Sequence, residues 1–306
     1  MEPVSYPATP FTLSEAAALG IGRRRVHTDV DNGVLRRVLR GAFVRADVPD
    51  TLELRVAAAS LVVGPSSVIT DRTAAWIHGV DVFTYAEHDV VPPVESCALR
   101  WRSRTRREGV DGRTRDLLSE DVMEIRGVSV TTPLRTALDL GCLLHRRDAL
   151  AALDSFMRQH ALTREELGRG ALRFFRRRGV IQLRQLIPVA DPRAESVRES
   201  WTRLAILDAG LPCPELQFWV EIDGVPTYRL DLAYPRHRIA IEYDGEEFHD
   251  RTDDQRAHDA RRRDDLRARG WTVIVVRRGD FSGSALDRWI SQLRIALRPS
   301  YTNRRW

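Results

Sequence analysis

Three carboxylates interrupt an otherwise apolar hairpin in the C-terminal third of the chain. The segment RLDLAYPRHRIAIEYDG, residues 229–245, predicts two strands joined by a short turn. Asp231 lies on the first strand, and Glu242 and Asp244 lie on the second. A buried carboxylate costs free energy unless it finds a partner, so this hairpin restricts the possible folds more than any other segment.

The turn length sets the pairing of the two strands. If residues 235–238 form the turn, Tyr234 pairs with Ile239 and Asp231 lies directly opposite Glu242. Opposed Cβ atoms are about 5 Å apart, where two carboxylates repel each other. Either one carboxyl is protonated or a cation lies between them. Oxygen ligands suit Mg²⁺ or Mn²⁺, so the pattern predicts a metal site; the alternative is an exposed sheet face.

Charge is unevenly distributed along the chain. The sequence has no lysine, and its 48 basic residues face 43 acidic ones. Residues 1–190 contain 28 arginines and 23 acidic residues, whereas residues 191–306 contain 20 of each. Within the second part, residues 242–254 contain seven acidic residues and one arginine. The basic excess predicts an anionic partner for the first part, with a merely solvated surface as the alternative.

The chain is predicted to be cytoplasmic and to have no membrane segment. Its longest apolar stretch, AAASLVVG at 57–64, is too short to span a bilayer, and no signal peptide is evident. Cys97, Cys142 and Cys213 lie far apart without metal-type spacing, which predicts reduced thiols.

The first 50 residues predict a winged helix-turn-helix. Thr12 and Glu15 have capping-box spacing ahead of a short helix, and RRRVHTDVDNG predicts a second helix after a glycine turn. VLRRVLRGAFVR then predicts two strands that fold back at Arg40. This order is typical of a winged helix that binds DNA; the alternative is a structural helical hairpin.

Four arginines are the candidate DNA contacts of this region. Arg23, Arg24 and Arg25 would begin the recognition helix, where side chains reach phosphates or bases. Arg40 would lie at the tip of the wing. The alternative is a solvated run of arginines.

The middle of the chain, residues 51–190, is predicted to be mostly helical. The basic run RWRSRTRREGVDGRTR, which is Arg100 followed by residues 101–115, is either a phosphate-contacting loop or an exposed charge run.

Residues 191–306 predict a mixed sheet flanked by helices. Asp191 and Pro192 predict the start of a helix, which is followed by a three-stranded meander. A charged helix at 253–269 then leads to an apolar strand that can run parallel to its neighbour, and a last helix closes the chain. With residues 1–50 and 51–190, the sequence therefore predicts an α/β (α+β) protein in three parts.

The C-terminal motifs resemble the very-short-patch-repair-like branch of the PD-(D/E)XK nuclease superfamily. The resemblance covers roughly residues 191–298 and rests on D-x₁₀-E-x-D-G, a histidine four residues after that glycine, and D-x-x-R-x-x-x-L-x-x-x-G-W. It implies a restriction-endonuclease-like fold in which Asp231 and Glu242 bind Mg²⁺ or Mn²⁺. A helical glutamate often joins them, and Glu199 is the better match, with Glu195 one turn earlier as the reserve.

The sequence departs from that superfamily at its usual lysine, which is replaced by Asp244. The resemblance implies that His249 instead positions or deprotonates the attacking water. In an endonuclease, Arg262 would steady developing charge; the alternative is a structural pair with Asp259 or Glu242. The zinc-binding cysteines and histidines of the repair enzymes are missing, so their mismatch-specific wedge is not expected.

The front of the chain resembles the abortive-infection type IV antitoxin-like winged-helix regulators. The residues that support this are FTLSEAAALGI, VLRRVLRGAFV, TDRTAAWIHGV and VTTPLRTALDL. The resemblance strengthens the prediction that this region binds DNA.

Two hypotheses of different class follow. The first is a Mg²⁺-dependent endonuclease that a winged helix directs to DNA; its support is the intact set of Asp231, Glu242 and Asp244. The alternative is an antitoxin-like DNA-binding transcriptional regulator whose nuclease-fold domain is inactive, which the missing lysine favours. An enzyme acting on RNA is a weaker third hypothesis. The residues do not specify an oligomeric state, a toxin or a repair partner.

Overall fold

The chain forms two units, each with its own sheet and helices. In the computed structural model, the described residues are 6–63, 67–83, 93–99, 110–125, 127–245 and 253–298. Unit 1 comprises Met1–Leu144 and Gln159–Pro188, and unit 2 comprises His145–Arg158 and Val189–Trp306. The architecture is mixed α/β, as the α+β prediction requires.

Unit 1 begins with two helices and a hairpin. These elements are α1 (Leu13–Ala18), α2 (Arg23–Asp31), β1 (Leu35–Leu39) and β2 (Ala42–Arg45). The predicted capping box is confirmed, since Thr12 and Glu15 exchange side-chain and backbone hydrogen bonds. The side chains of Phe11, Val26 and Phe43 pack in a small core between the helices and the hairpin. The predicted order of these elements is therefore confirmed.

A five-stranded sheet and further helices complete unit 1. The strands are β3 (Ser67–Ile69), β4 (Val94–Leu99), β5 (Val110–Arg115), β6 (Val122–Ile125) and β7 (Val128–Thr131). Their order is β5-β4-β3-β7-β6, with β3 parallel to β7 and β4 parallel to β5. The helices are α3 (Leu52–Val62), α4 (Asp71–Ile77), α5 (Pro133–Leu143), α6 (Arg146–His160, shared with unit 2), α7 (Arg164–Ala171) and α8 (Val180–Leu186).

The prediction of a mostly helical middle region omits this sheet. Residues 94–98 of β4 are all buried, so the strand lacks the alternation of apolar and polar residues that marks a half-exposed strand. The predicted basic loop also needs correction, because residues 110–115 form β5. Residues 100–109 lie outside the described residues.

Unit 2 contains a four-stranded mixed sheet flanked by helices. Its strands are β8 (Glu215–Ile222), β9 (Val225–Tyr234), β10 (Ile239–Asp244) and β11 (Thr272–Arg277). Its helices are α9 (Val197–Asp208), α10 (Asp253–Ala268) and α11 (Gly283–Ala296), together with most of α6. The strand order is β11-β10-β9-β8, with β10 and β11 parallel as predicted. Leu232, Ile241, Ile274 and Trp289 belong to its core.

The predicted register of the carboxylate hairpin is confirmed. Tyr234 pairs with Ile239, and the ladder continues to Leu232 opposite Ile241, one residue before the two carboxylates.

The start of α9 differs from the prediction. Asp191 does not cap it, because its carboxylate accepts hydrogen bonds from the backbone and side chain of Arg193 in a local turn. The helix begins instead at Val197, where the Ser196 hydroxyl accepts a hydrogen bond from the Glu199 backbone N–H.

The three cysteines are free thiols. Burial raises the pKa of Cys97 and of Cys142 to about 11, so both are protonated at neutral pH. No helix within the described ranges is long and apolar enough to cross a membrane.

Candidate functional site

The start of α2 presents two exposed arginines. Arg23 and Arg24 occupy the first two helical positions and are exposed. Gly22 precedes them and supplies no side-chain cap, so the first N–H groups of α2 receive no hydrogen bond from the N-cap side chain. The positive end of the helix dipole and two guanidiniums therefore coincide, an arrangement that attracts phosphate.

Arg25 has an internal partner. Its Nε donates a hydrogen bond to Asp29 Oδ2 at 2.7 Å, and the Tyr6 hydroxyl donates to the same oxygen at 2.6 Å. Asp29 is buried, and the hydrogen bonds from Arg25 and Tyr6 lower the pKa of its carboxyl. Burial and the neighbouring Asp29 raise the pKa of Tyr6 to about 12. Among the four predicted DNA contacts, the Arg25 guanidinium is thus paired with a carboxylate of its own helix. Arg40 is exposed at the tip of the β1–β2 hairpin.

In unit 2, three predicted metal ligands lie close enough to affect one another. The pKa of Asp231 is raised to about 6, first because the carboxyl is buried and then because Glu199 and Glu242 are nearby. Arg262 and a backbone hydrogen bond from Tyr243 act in the opposite direction. The structure therefore assembles acidic side chains from α9, β9 and β10 around Asp231.

Gln217 of β8 extends this cluster and was not predicted. It lies opposite Asp231 in the β8–β9 register, between the pairs Leu216–Leu232 and Phe218–Leu230, and its φ is +54°. Its Nε2 donates a hydrogen bond to Glu199 Oε2 at 2.8 Å, and its Oε1 is buried without a hydrogen-bond partner. Such backbone distortion is concentrated at functional sites.

Two arginines of α10 neutralise the carboxylates of β10. Arg262 Nη1 lies 2.9 Å from Glu242 Oε1, which confirms one of the two pairings considered for Arg262. Arg263 Nε lies 3.3 Å from Glu242 Oε2, and its Nη2 lies 2.9 Å from Asp244 Oδ2. Alternation along β9 puts Arg229 on the same face as Asp231, but Arg229 pairs with Glu195. The positive charge beside Glu242 and Asp244 comes instead from α10, further along the chain.

The predicted metal ligands already have partners among the described side chains. Among them, no three His, Cys, Asp or Glu residues come together in an arrangement that could hold one. Glu242 and Asp244 are paired with arginines, and Glu199 accepts hydrogen bonds from Gln217 and from the Glu195 backbone. The Glu195 side chain pairs with Arg229 at 2.8 Å. His249 lies outside the described residues.

Unit 1 contains a buried ionic cluster that sequence reasoning also missed. Asp139 is fully buried, and its carboxylate makes ion pairs with three arginines. Arg115 Nη1 lies 2.8 Å from Asp139 Oδ2, and Arg135 Nε and Arg177 Nη1 lie 3.0 Å and 2.6 Å from Asp139 Oδ1. Burial raises the pKa of the Asp139 carboxyl, and the three guanidiniums oppose this shift. Arg115 belongs to the run that was interpreted as either a phosphate-contacting loop or exposed charge; it instead makes ion pairs with Asp139 and Asp71.

A cavity of about 250 Å³ lies beside this cluster. It is lined by Asp116, Leu118, Arg135, Arg173, Phe174 and Arg177. The guanidiniums of Arg135 and Arg177 lie over the Phe174 ring, 5.2 Å and 4.6 Å from its centroid. The residues that form the cavity come from separate parts of the sequence, so no local motif predicts the cavity.

Comparison with known proteins relates the chain to antitoxins. Residues 66–189 match the family described as AbiEi antitoxin C-terminal domain. Two proteins of Mycobacterium tuberculosis, described as uncharacterized proteins MT2308 and Rv2248, are each 33% identical to the chain over 255 residues. These matches cover 83% of this chain and 89% of each relative, so the similarity extends well beyond residues 66–189.

Proposed function

We propose, since the chain belongs to the family of the mycobacterial proteins MT2308 and Rv2248, that it is an antitoxin-like, DNA-binding transcriptional regulator. The AbiEi antitoxin match at residues 66–189 supports a regulator of this type. The observation that most directly supports DNA binding is the pair of exposed arginines at the start of α2, followed by a hairpin whose tip presents Arg40.

In this proposal, residues 11–45 act as a winged helix. Helix α2 enters the major groove by its N-terminal end, where Arg23 and Arg24 contact phosphates or base edges. Arg40 on the hairpin contacts the neighbouring backbone. Arg25 has a supporting role, because its bond to Asp29 fixes the helix that presents the other two arginines.

The test is binding to duplex DNA selected from a random-sequence library, measured by fluorescence anisotropy at several salt concentrations. Each lost phosphate contact lowers the salt slope by about one, so Arg23→Ala with Arg24→Ala should weaken binding and reduce the slope by about two. Arg288→Ala removes an exposed arginine of α11 and is the matched control. Equal affinity and slope for the two variants would remove α2 from the interface.

A second candidate is a metal-dependent endonuclease in unit 2 that acts on DNA with Mg²⁺ or Mn²⁺. The observation in its favour is the crowding of Glu199 and Glu242 around Asp231, which raises the pKa of that carboxyl to about 6. The pairing of Glu242 and Asp244 with Arg263 favours the regulator instead.

Supercoiled plasmid distinguishes the two candidates. The purified protein and its Asp231→Asn variant are incubated with plasmid in Mg²⁺, in Mn²⁺ and in chelator. A regulator binds plasmid and leaves it intact in every condition. Metal-dependent nicking that the Asp231→Asn variant lacks would establish the endonuclease; nicking that persists in the variant would indicate contamination.

A further inference from the structure

The segment from Arg164 to Arg184, which we call the basic apolar segment, contains the charge excess of the chain. It has seven arginines and two glutamates, a net charge of +5, and the formal net charge of the whole chain is also +5. The remaining residues are therefore neutral in sum. Ion pairs of Arg173 with Asp121 and of Arg177 with Asp139 offset part of this charge, and the other arginines of the segment would attract an anionic partner.

The same segment exposes three large apolar side chains. Leu172 is 72% exposed, Phe175 is 71% exposed and Ile181 is 72% exposed, the highest values for large hydrophobic residues among those described. They lie on the connection between α7 and α8 and at the start of α8. Apolar side chains clustered on a surface indicate a binding site when polar residues surround them.

Buried carboxylates hold two of the arginines in place. Arg173 Nη2 lies 2.7 Å from Asp121 Oδ2, and Arg177 Nη1 lies 2.6 Å from Asp139 Oδ1. The Asp121 and Asp139 side chains are 7% and 0% exposed, whereas those of Arg173 and Arg177 are 39% and 29% exposed. The guanidiniums thus reach the surface from fixed positions, which reduces the entropy that binding would cost.

Two phenylalanine rings lie between the arginines. The Arg176 guanidinium lies 5.2 Å from the centroid of the exposed Phe175 ring, and that of Arg177 lies 4.6 Å from the buried Phe174 ring. The cavity of about 250 Å³ opens beside Phe174. One exposed aromatic ring, that of Phe175, therefore lies among positive charges.

We infer that the basic apolar segment binds single-stranded nucleic acid. The arginines would contact phosphates, Phe175 would stack on an unpaired base, and Leu172 and Ile181 would cover the apolar faces of its neighbours. A duplex hides its base faces and would leave these three side chains in water. This site is separate from α2, and it extends the proposed function from duplex recognition to binding of unpaired strands.

The test is fluorescence anisotropy of the full chain with labelled oligo(dT), oligo(U) and a duplex. Phe175→Ala should weaken binding of the single strands by about 5- to 150-fold, the range for one base–aromatic stacking contact, and leave duplex affinity unchanged. Trp219→Ala removes another aromatic residue, 49% exposed on β8, and should change neither the single-strand affinity nor the duplex affinity. Tighter binding of oligo(U) or of oligo(dT) identifies RNA or DNA as the preferred strand.

The arginines are tested separately. Arg176→Ala with Arg178→Ala should lower single-strand affinity and its salt slope, whereas the matched Arg288→Ala should not. Failure of the wild-type protein to bind either single strand would overturn the inference. Unchanged single-strand affinity of the Phe175→Ala variant would also overturn it, because the segment would then be a surface that binds polyanions or acidic proteins in general. Because Arg23→Ala with Arg24→Ala acts only on duplex binding, this failure is distinguishable from failure of the proposed function.

Discussion

Arg203 and Asp154 form an ion pair in which both side chains are only 1% exposed. The same carboxylate accepts hydrogen bonds from the Ser200 hydroxyl at 2.6 Å and from the Asp191 backbone N–H at 2.7 Å. Asp154 belongs to α6 and Arg203 to α9, so the pair joins segments of unit 2 that are far apart in sequence.

Arg203→Met should strongly destabilise the protein. The change leaves Asp154 buried without its cation, and breaking such a pair costs about 3–5 kcal/mol. Urea unfolding measures the loss. Arg146→Ala is the control: its ion pair with Asp208 is 37% and 47% exposed, and an exposed pair contributes at most about 1 kcal/mol. Equal losses would mean that burial of the first pair has no energetic consequence.

Asp231→Asn should make the protein more stable at neutral pH. The pKa of Asp231 is about 6 in the folded protein against an ordinary value of 3.8, so the folded state binds the proton more tightly than the unfolded chain. The free energy of unfolding therefore falls as pH rises from about 4 to about 6. Above that range the asparagine variant should be more stable by roughly 1–3 kcal/mol, and near pH 3 this gain should vanish. Urea unfolding across this pH range checks it; parallel pH curves for the two proteins would contradict it.

Arg263→Ala should increase the affinity of unit 2 for Mn²⁺, measured by isothermal titration calorimetry. The arginine pairs with the oxygens of Glu242 and Asp244 that a cation would use. Two positive charges about 4 Å apart repel by roughly 1–4 kcal/mol in water or at a protein surface, so the gain should be about fivefold or more. Arg261→Ala, on the exposed side of the same helix, is the control. A gain no larger than that of the control would mean that Arg263 does not compete with cations.

Gly179→Ala should destabilise unit 1 more than Gly33→Ala does. Both glycines have positive φ, +83° and +72°, which costs an alanine about 1–2 kcal/mol. At position 179 a Cβ would also collide with the backbone carbonyl of Cys142, whereas at position 33 it would meet no atom within 4 Å. Melting temperatures of the two variants test this, and a smaller decrease for Gly179→Ala would show that the α8 segment moves away from Cys142.

Local signals predicted those parts of the fold that depend on neighbouring residues. The turn at 235–238 fixes Tyr234 opposite Ile239, and the capping box at Thr12 fixes the start of α1. These features follow from spacing within a few residues. The five-stranded sheet of unit 1 was missed because its strands are short and because β3 and residues 94–98 of β4 are buried.

Gln217 could not be predicted because a strand irregularity moves it. A two-residue turn at Asp223–Gly224 would by itself pair Gln217 with Leu230. A register shift between Val220 and Glu221 displaces the pairing by one residue and puts Gln217 opposite Asp231.

The roles of Arg262 and Arg263 depend on the rotation of α10. The sequence DDQRAHDARRRDDLRA has charged residues on every side, so helical periodicity does not show which side faces the sheet. Packing of Leu266 settles that rotation and turns both arginines toward the carboxylates.

The discontinuous course of the chain limits how its gene can be divided. A polypeptide that starts at Asp191 would contain all four strands of the second sheet and would lack the carboxylate that neutralises Arg203. A polypeptide that starts at His145 includes that carboxylate, but it also includes residues 159–188, which belong to unit 1. A single crossover between related genes therefore cannot exchange either unit whole.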